Sequence, residues 1–261
     1  MNNKFYIQLK HLSYTNFKKI CRLQSYGLIL LSILLAILAM YFQYSAVVYV
    51  ILLLEVVVFL LLAFLTNSIM KTLDSILYDE CNPIRYETWI DCYYQGVPAF
   101  FKHLQAMYQF RKGEVAYWKG EFRTSKSLFN VINVHYFLKR LRLKMSAEIL
   151  YYQVLSDIQL DFGGDLERIK LDFEMLNQSE YYASLEAINR LLILRLESKY
   201  FQSLTPKNTL EQLSIYYYLG RNALLVNDKQ SAKECFERLA DSSSELFMVK
   251  EARKWLVSNE N

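Results

Sequence analysis

Side chains that bind metals or act as nucleophiles are few in this chain, and they are dispersed. The cysteines and histidines are Cys21, Cys81, Cys92, Cys235, His11, His103 and His135. Zinc sites place pairs of these residues at short spacings such as C-x-x-C, and no such spacing occurs here. The sequence therefore predicts free thiols, no metal site and no cluster of histidine ligands.

Phosphate-binding and acid–base motifs are also missing. The only double glycine, Gly163-Gly164, lies in no Walker or G-x-G-x-x-G pattern. Acidic residues are plentiful, but their spacing places no convergent pair for general acid–base catalysis. We therefore expect no catalytic residues, no cofactor-binding residues and no enzymatic activity.

Charge divides the chain into three parts. It has 261 residues, with 30 basic and 26 acidic side chains and a net charge of +4. Residues 1–25 contain five basic side chains and no acid, residues 26–66 contain only Glu55, and residues 67–261 are balanced. Hydrophobic residues make up 53% of the chain, which excludes general disorder. Dispersed charges beside an apolar block do not favour nucleic-acid binding.

The apolar block predicts a two-span transmembrane hairpin at residues 26–66. Leu23–Leu54 contains 32 residues without a formal charge, and a spanning helix needs about 20 apolar residues. We place one span near Tyr26–Phe42 and a second near Ala46–Thr66, with a break at residues 43–45. A signal peptide followed by a single anchor and a buried hairpin in a soluble protein are the alternatives.

The basic arm at residues 1–25 predicts the orientation. Lys and Arg concentrate on the cytoplasmic side of membrane proteins, so we expect a cytoplasmic N-terminus. Two spans then return the chain to the cytoplasm, where a helical connector at 67–98 leads to a domain at 99–261. The predicted localisation is the cell membrane, multi-pass. The arm itself is either a helix lying on anionic lipid or a topology signal without a ligand.

Glu55 lies near the middle of the second predicted span. An acid there is costly, and it indicates either an ion-linked site or a hydrogen bond between helices. Neither span contains a second acid, Lys, Arg or His. We therefore favour a tolerated acid or a packing contact, and the role of Glu55 is left open.

Residues after the second span predict an all-α domain. Gly and Pro are few, and they separate long segments with helical periodicity. Asn82-Pro83 predicts a helix start, with Asn as the N-cap and Pro at the first helical position. The predicted helices of the domain are 99–118, 121–137, 140–161, 165–177, 180–201, 208–226, 229–241 and 245–257.

An internal repeat recurs three times in this domain. Each copy has a turn-prone residue, an acid, a compact or aliphatic residue, and then Phe on the same helical face. The repeat-packing residues of the three copies are Gly120, Ser125 and Phe129, then Gly164, Ile169 and Phe173, then Asn227, Ala232 and Phe236. Residues at these spacings share one face of a helix, so we expect each Phe to be buried.

This pattern resembles the second helix of tetratricopeptide repeats (TPR). The last copy also matches the first helix, with Tyr216, Leu219, Gly220 and Ala223 at the family's positions, and the first copy retains Gly113. The resemblance covers residues 99–258. It implies stacked helix pairs with a concave surface that binds peptides or protein segments, and it supplies no catalytic residues.

The chain departs from the family in three ways. The copies are 44 and 63 residues apart, whereas the family repeats every 34 residues. A helix near 180–201 interrupts the pairing, and no unit keeps the usual closing Pro. The array is thus a divergent, TPR-like one, with a generic α-helical bundle as the alternative. The stretch 80–86 also resembles a junction in uncharacterised membrane-anchored proteins of Gram-positive bacteria.

Tyrosine is unusually frequent, with 21 residues that include Tyr151-Tyr152, Tyr181-Tyr182 and Tyr216-Tyr217-Tyr218. Such clusters either fill helix–helix contacts or line a binding groove. We expect a membrane-anchored adaptor or scaffold whose partners are the lipid bilayer and a cytoplasmic protein or peptide. The alternatives are a small subunit of a membrane transport or secretion complex and a peptide-signal sensor.

Overall fold

A computed structural model describes residues 13–22, 28–41, 45–95, 97, 100–162, 166–242 and 245–259. These residues form helices, turns and irregular segments, and none of them belongs to a β-strand. The expected all-α class is confirmed. The chain divides into two compact units, Met1–Ile76 with Asp91–Gln95, and Leu77–Ile90 with Gly96–Asn261. The finer subdivision at residues 25, 66 and 98 stays a prediction.

The first unit contains helices α1 (Tyr14–Arg22) and α2 (Leu28–Tyr41) and most of α3 (Ser45–Tyr78). Within the described part of the chain, a single helix, Val48–Tyr78, is long and apolar enough to cross a membrane by length and composition. The two-span hairpin is not supported by these residues, because the described part of α2 has 14 residues, fewer than the roughly 20 that a spanning helix needs. Residues 23–27 and 42–44, which flank α2, lie outside the described residues.

Helix α3 exposes most of its apolar side chains. Leu53 is 66% exposed and Phe59 is 69% exposed, whereas Ile69, Leu73 and Ile76 near its C-terminal end are buried. A core helix of a soluble protein would bury its apolar side chains on all sides. Glu55 is half-buried on this helix.

Helix α4 (Pro83–Tyr94) begins as the sequence predicts. The Asn82 side-chain oxygen accepts a hydrogen bond from the Arg85 amide at 2.9 Å, and Pro83 occupies the first helical position. Pro is suited to that position because its missing N–H has no partner in a helix anyway. The predicted N-cap is confirmed.

The second unit, here called the body, contains eight further helices among its described residues. They are α5 (Lys102–Lys119), α6 (Phe122–Asn130), α7 (Lys139–Gln159), α8 (Leu166–Met175), α9 (Ser179–Leu192), α10 (Thr209–Leu225), α11 (Lys229–Ala240) and α12 (Phe247–Asn259). Consecutive helices pack from α5 to α7 and from α10 to α12. Helix α8 packs mainly on α9, which also contacts α7.

Two predicted helices are shorter than expected. The helix predicted at 121–137 ends at Asn130, and a 3₁₀ turn follows at Val134–Tyr136. This turn is stabilised by Asn133, whose side chain accepts a hydrogen bond from the His135 amide. Side chains such as Asn compete with a helix by bonding to nearby backbone amides.

The helix predicted at 180–201 ends at Leu192, and a 3₁₀ turn follows at Tyr200–Ser203. Here the amide of Leu196 donates to the Arg190 carbonyl at 2.9 Å, with Arg195 in the left-handed region between them. Such a bond closes the C-terminal end of a helix. The segment between α9 and α10 is therefore not part of either helix, and its residues line a pocket.

Candidate functional site

A pocket of about 460 Å³ opens in the body. Residues of α5, α7, α9, α10 and the 3₁₀ turn at Tyr200–Ser203 line it. Ligand pockets in proteins have volumes of roughly 300–1,000 Å³, so this one accommodates a small molecule or one or two peptide side chains.

Eight of the 20 residues that line the pocket are aromatic. They are Tyr78, Tyr117, Trp118, Tyr151, Tyr181, Tyr200, Phe201 and Tyr218. Phe201 and Tyr218 stack with centroids 4.7 Å apart, and Tyr151 lies 5.0 Å from Tyr181. These rings come from segments far apart in sequence, so the tertiary fold assembles them. Tyr151, Tyr181 and Tyr218 contact other aromatic rings and also line the pocket, so the packing interpretation applies to them, and the binding interpretation stays a prediction.

Hydroxyl groups add polarity to the wall. The Tyr151 hydroxyl and the Ser184 hydroxyl share a hydrogen bond of 3.1 Å. Burial raises the pKa of Tyr151 to about 12, and burial also raises the pKa values of Tyr200 and Tyr218. These phenols therefore stay protonated at physiological pH and act as neutral hydrogen-bond donors and acceptors.

Charged groups in the lining are two carboxylates and one ammonium group. Glu180 lies at the start of α9, and Glu211 lies in the first turn of α10 beside Lys207. Asn208 caps α10 by accepting a hydrogen bond from the Glu211 amide at 2.8 Å. In return, the Glu211 carboxylate accepts a hydrogen bond from the Lys207 amide at 2.6 Å. This arrangement resembles a capping box, and it holds Glu211 at the pocket.

A buried carboxylate lies in the same body, on α5. Glu114 is 1% exposed, and its Oε2 lies 3.3 Å from Arg111. Hydroxyl groups of Tyr152 at 3.2 Å, Tyr86 at 3.4 Å and Tyr78 donate to it. Burial, followed by the Glu114 charge, raises the pKa of Tyr152 well above its usual value. A buried charge needs such compensation, so we assign Glu114 to holding helices together rather than to catalysis.

The sequence patterns did not single out Glu114, Arg111 or Tyr78. The signal available was one Glu followed directly by Val115, Ala116 and Tyr117, all of which are buried. An acid beside apolar residues on a helix also occurs at exposed positions, so this signal alone predicts neither the burial of Glu114 nor its partners.

Several repeat-packing residues lie at helix contacts. A Cβ atom on Gly113 would be 2.9 Å from the Phe129 ring, and one on Gly220 would be 2.5 Å from the Phe236 ring. The Ser125 hydroxyl donates to the Gly113 carbonyl at 2.9 Å. The Gly–Phe pairs bring α5 against α6 and α10 against α11, with the same 16-residue separation in both.

The other repeat residues have different surroundings. Gly120 ends α5 with a φ of 87°, which favours glycine. Phe173 and Ala232 are buried, whereas Ile169, Tyr216 and Leu219 are half-buried, and Gly164 lies outside the described residues. Because α8 packs on α9, the middle copy has no Gly–Phe contact like those of the other two copies among the described residues.

The residues that line the pocket include no cysteine and no histidine of the described part of the chain. His103 and His135 are exposed, and His11 lies outside the described residues. Cys21, Cys81 and Cys92 are buried and Cys235 is half-buried, all as reduced thiols. In the described segments, no group of three or more His, Cys, Asp or Glu side chains could hold a metal ion.

No protein-family model, curated protein or solved structure matches the chain.

Proposed function

We propose that this chain is a membrane-anchored adaptor whose cytoplasmic body binds a segment of another protein. The observation that carries the proposal is the aromatic pocket of the body. Tyr and Trp rings with nearby hydroxyl groups are typical of binding hot spots, because they provide large contact areas and directed hydrogen bonds.

Membrane anchoring is supported by the exposed apolar surface of α3. A large exposed apolar surface causes association when the protein is in water, whereas the lipid tails of a bilayer solvate such a surface. Helix α2 also exposes apolar side chains, including Leu30, Ile33 and Ile37. We propose that α2 and α3 are the two membrane-spanning helices of a hairpin and that the basic arm keeps the N-terminus in the cytoplasm.

Single cysteines at residues 43–45 and in the body, probed with an impermeant thiol reagent on intact cells, test this topology. Labelling at 43–45 but not in the body is expected, because only the short connection between the two helices would reach the outside. Labelling of the body would exclude the proposed orientation.

The adaptor hypothesis is tested by blocking the pocket. Ser184 lines it on α9, so Ser184→Trp places a bulky ring inside. Ser127 is exposed on α6 outside the pocket, so Ser127→Trp is the matched control. The full chain is solubilised from its native membrane, and the proteins that co-purify with it are quantified by mass spectrometry. Loss of a partner with Ser184→Trp but not with Ser127→Trp is expected. Equal recovery with both variants would contradict a binding role for the pocket.

Tyr78 favours peptide sensing as a second candidate function. It is the last residue of α3, its ring lines the pocket, and its hydroxyl donates to Glu114. An occupant of the pocket would therefore contact the end of the apolar helix. A sensor predicts that its peptide changes the environment of a fluorophore at residue 79, whereas an adaptor binds the peptide without such a change.

A further inference from the structure

We propose that the aromatic pocket receives the cationic side chain of a lysine or arginine in the bound peptide segment. This inference rests on the proposed function and adds the chemistry of the ligand. It follows from three properties of the pocket: its charge, its ring faces and its size.

Charge is the first property. The lining residues include two carboxylates, Glu180 and Glu211, and a single cation, Lys207. Neither carboxylate forms a side-chain ion pair with any described residue, although ion pairs are frequent elsewhere in that part of the chain. Both carboxylates line the same pocket as Tyr200. Burial raises the pKa of Tyr200, and the charges of Glu211 and Glu180 raise it further. A cation between them would gain from both charges, whereas a phosphorylated or acidic segment would be repelled.

Ring faces are the second property. Cations bind over aromatic faces within about 6 Å of the ring centre. Elsewhere, the chain uses this interaction itself: Arg85 lies 4.8 Å from the Trp89 ring centre and Arg238 lies 5.3 Å from that of Tyr216. In the pocket, no cation of the described residues stacks on Tyr181, Tyr200 or Tyr218. Tyr218 is buried and stacked on Phe201, whereas Tyr181 and Tyr200 are half-buried, so the latter two rings are the ones that an incoming cation can reach.

Size is the third property. A pocket of about 460 Å³ is too small for a folded surface and fits a long side chain with part of its backbone. Lysine and arginine carry apolar stems that can lie along the rings while the charged end reaches Glu180 and Glu211.

The test uses four peptides of the form acetyl-Gly-Gly-X-Gly-Gly-amide, with X as Lys, Arg, norleucine or Glu. Norleucine retains the apolar stem of lysine without its charge. Binding to the full chain in lipid nanodiscs is measured by calorimetry at low and moderate salt. We expect the Lys and Arg peptides to bind about tenfold more tightly than the norleucine peptide, and the Glu peptide to bind most weakly. Higher salt should reduce the preference for the cation.

A charge-matched pair of variants identifies the carboxylates responsible. Glu180→Gln with Glu211→Gln removes both charges, and Gln at position 211 can still accept the capping hydrogen bond. Glu234→Gln with Glu237→Gln removes two exposed charges on α11, outside the pocket. The first double variant should bind Lys, Arg and norleucine peptides within about twofold of one another, whereas the second should keep the wild-type preference.

The two kinds of failure are distinguishable. Equal or tighter binding of the norleucine or Glu peptide to the wild-type chain overturns the cation inference, as does an absence of binding by all four peptides. In either case the adaptor proposal still stands if Ser184→Trp loses the natural partner. If Ser184→Trp and Ser127→Trp recover that partner equally, the proposed function fails, and the cation inference fails with it.

Discussion

Gly220 on α10 lies so close to Phe236 on α11 that a Cβ atom on Gly220 would be 2.5 Å from the Phe236 ring. Phe236 is buried and also contacts Trp255, with ring centroids 5.1 Å apart. The ring therefore has little room to move away. The close approach of α10 and α11 depends on Gly220, because glycine has no side chain that would collide with the ring.

Gly220→Ala should destabilise the body by about 1–2 kcal/mol. Overpacking a core costs roughly 1–3 kcal/mol, and the better helix propensity of Ala recovers ~1 kcal/mol or less. Urea denaturation of the full chain in detergent, followed by Trp fluorescence, measures the difference. The control is the same change in a Phe236→Leu background, where the clash is relieved and Ala should be neutral or stabilising. Equal destabilisation in both backgrounds would show that the ring is not the cause.

Glu114→Gln should destabilise the body by about 3 kcal/mol, because it removes the buried charge that Arg111 and three tyrosine hydroxyls compensate. Glu121→Gln is the matched control. Glu121 is exposed and pairs with Lys119 at 2.9 Å, so its loss should cost less than about 1 kcal/mol. The same denaturation assay compares the two variants. A loss for Glu114→Gln no larger than that for Glu121→Gln would refute the compensated cluster.

Alkaline pH should weaken the fold through Tyr151. Its pKa is about 12 in the folded chain, above the usual value near 10 for an unfolded one, because of burial. Between these values the unfolded chain has lost the proton that the folded chain keeps. The contribution of Tyr151 to stability is therefore complete below pH 10 and is lost as the pH rises towards 12.

Free energies of unfolding measured from pH 9 to pH 12 test this effect. Tyr151→Phe should lessen the fall by about 1.4 kcal/mol per pH unit above pH 10, because Phe cannot ionise. Tyr136→Phe, at an exposed position outside the pocket, is the control and should follow the wild-type curve. If the Tyr151→Phe curve matches the wild type throughout, Tyr151 is not the group responsible.

Native cysteines should react slowly with thiol reagents. Burial raises the pKa values of Cys21 and Cys81 to about 12. At pH 8 roughly one molecule in ten thousand then carries the reactive thiolate at either position. Pulse alkylation with iodoacetamide followed by peptide mass spectrometry should label half-buried Cys235 before either of them. Labelling in denaturant should remove the difference, and rapid native labelling of Cys81 would contradict the burial of its thiol.

The start of α4 could be predicted from the sequence, because it depends on local interactions. Asn82-Pro83 begins α4 because the capping interaction involves residues only three apart. Phe129, Phe173 and Phe236 are buried, as their helical periodicity indicates. Two helix ends were predicted less well. The hydrogen bond that Asn133 accepts and the left-handed backbone of Arg195 follow the ends of α6 and α9, and periodicity contains neither feature.

By itself, the sequence determined the all-α class, the apolar character of α3 and the spacing of Gly and Phe in two helix pairs. These properties depend on composition and on neighbours within a few turns of the same helix. Only the tertiary structure decided that Tyr151, Tyr181, Tyr200 and Tyr218 share a pocket and that Tyr78 reaches Glu114 across 36 residues. The physical reason is that such contacts depend on how the helices pack against one another and on the path of the segments that connect them. The order of residue types along a single helix does not specify either of these.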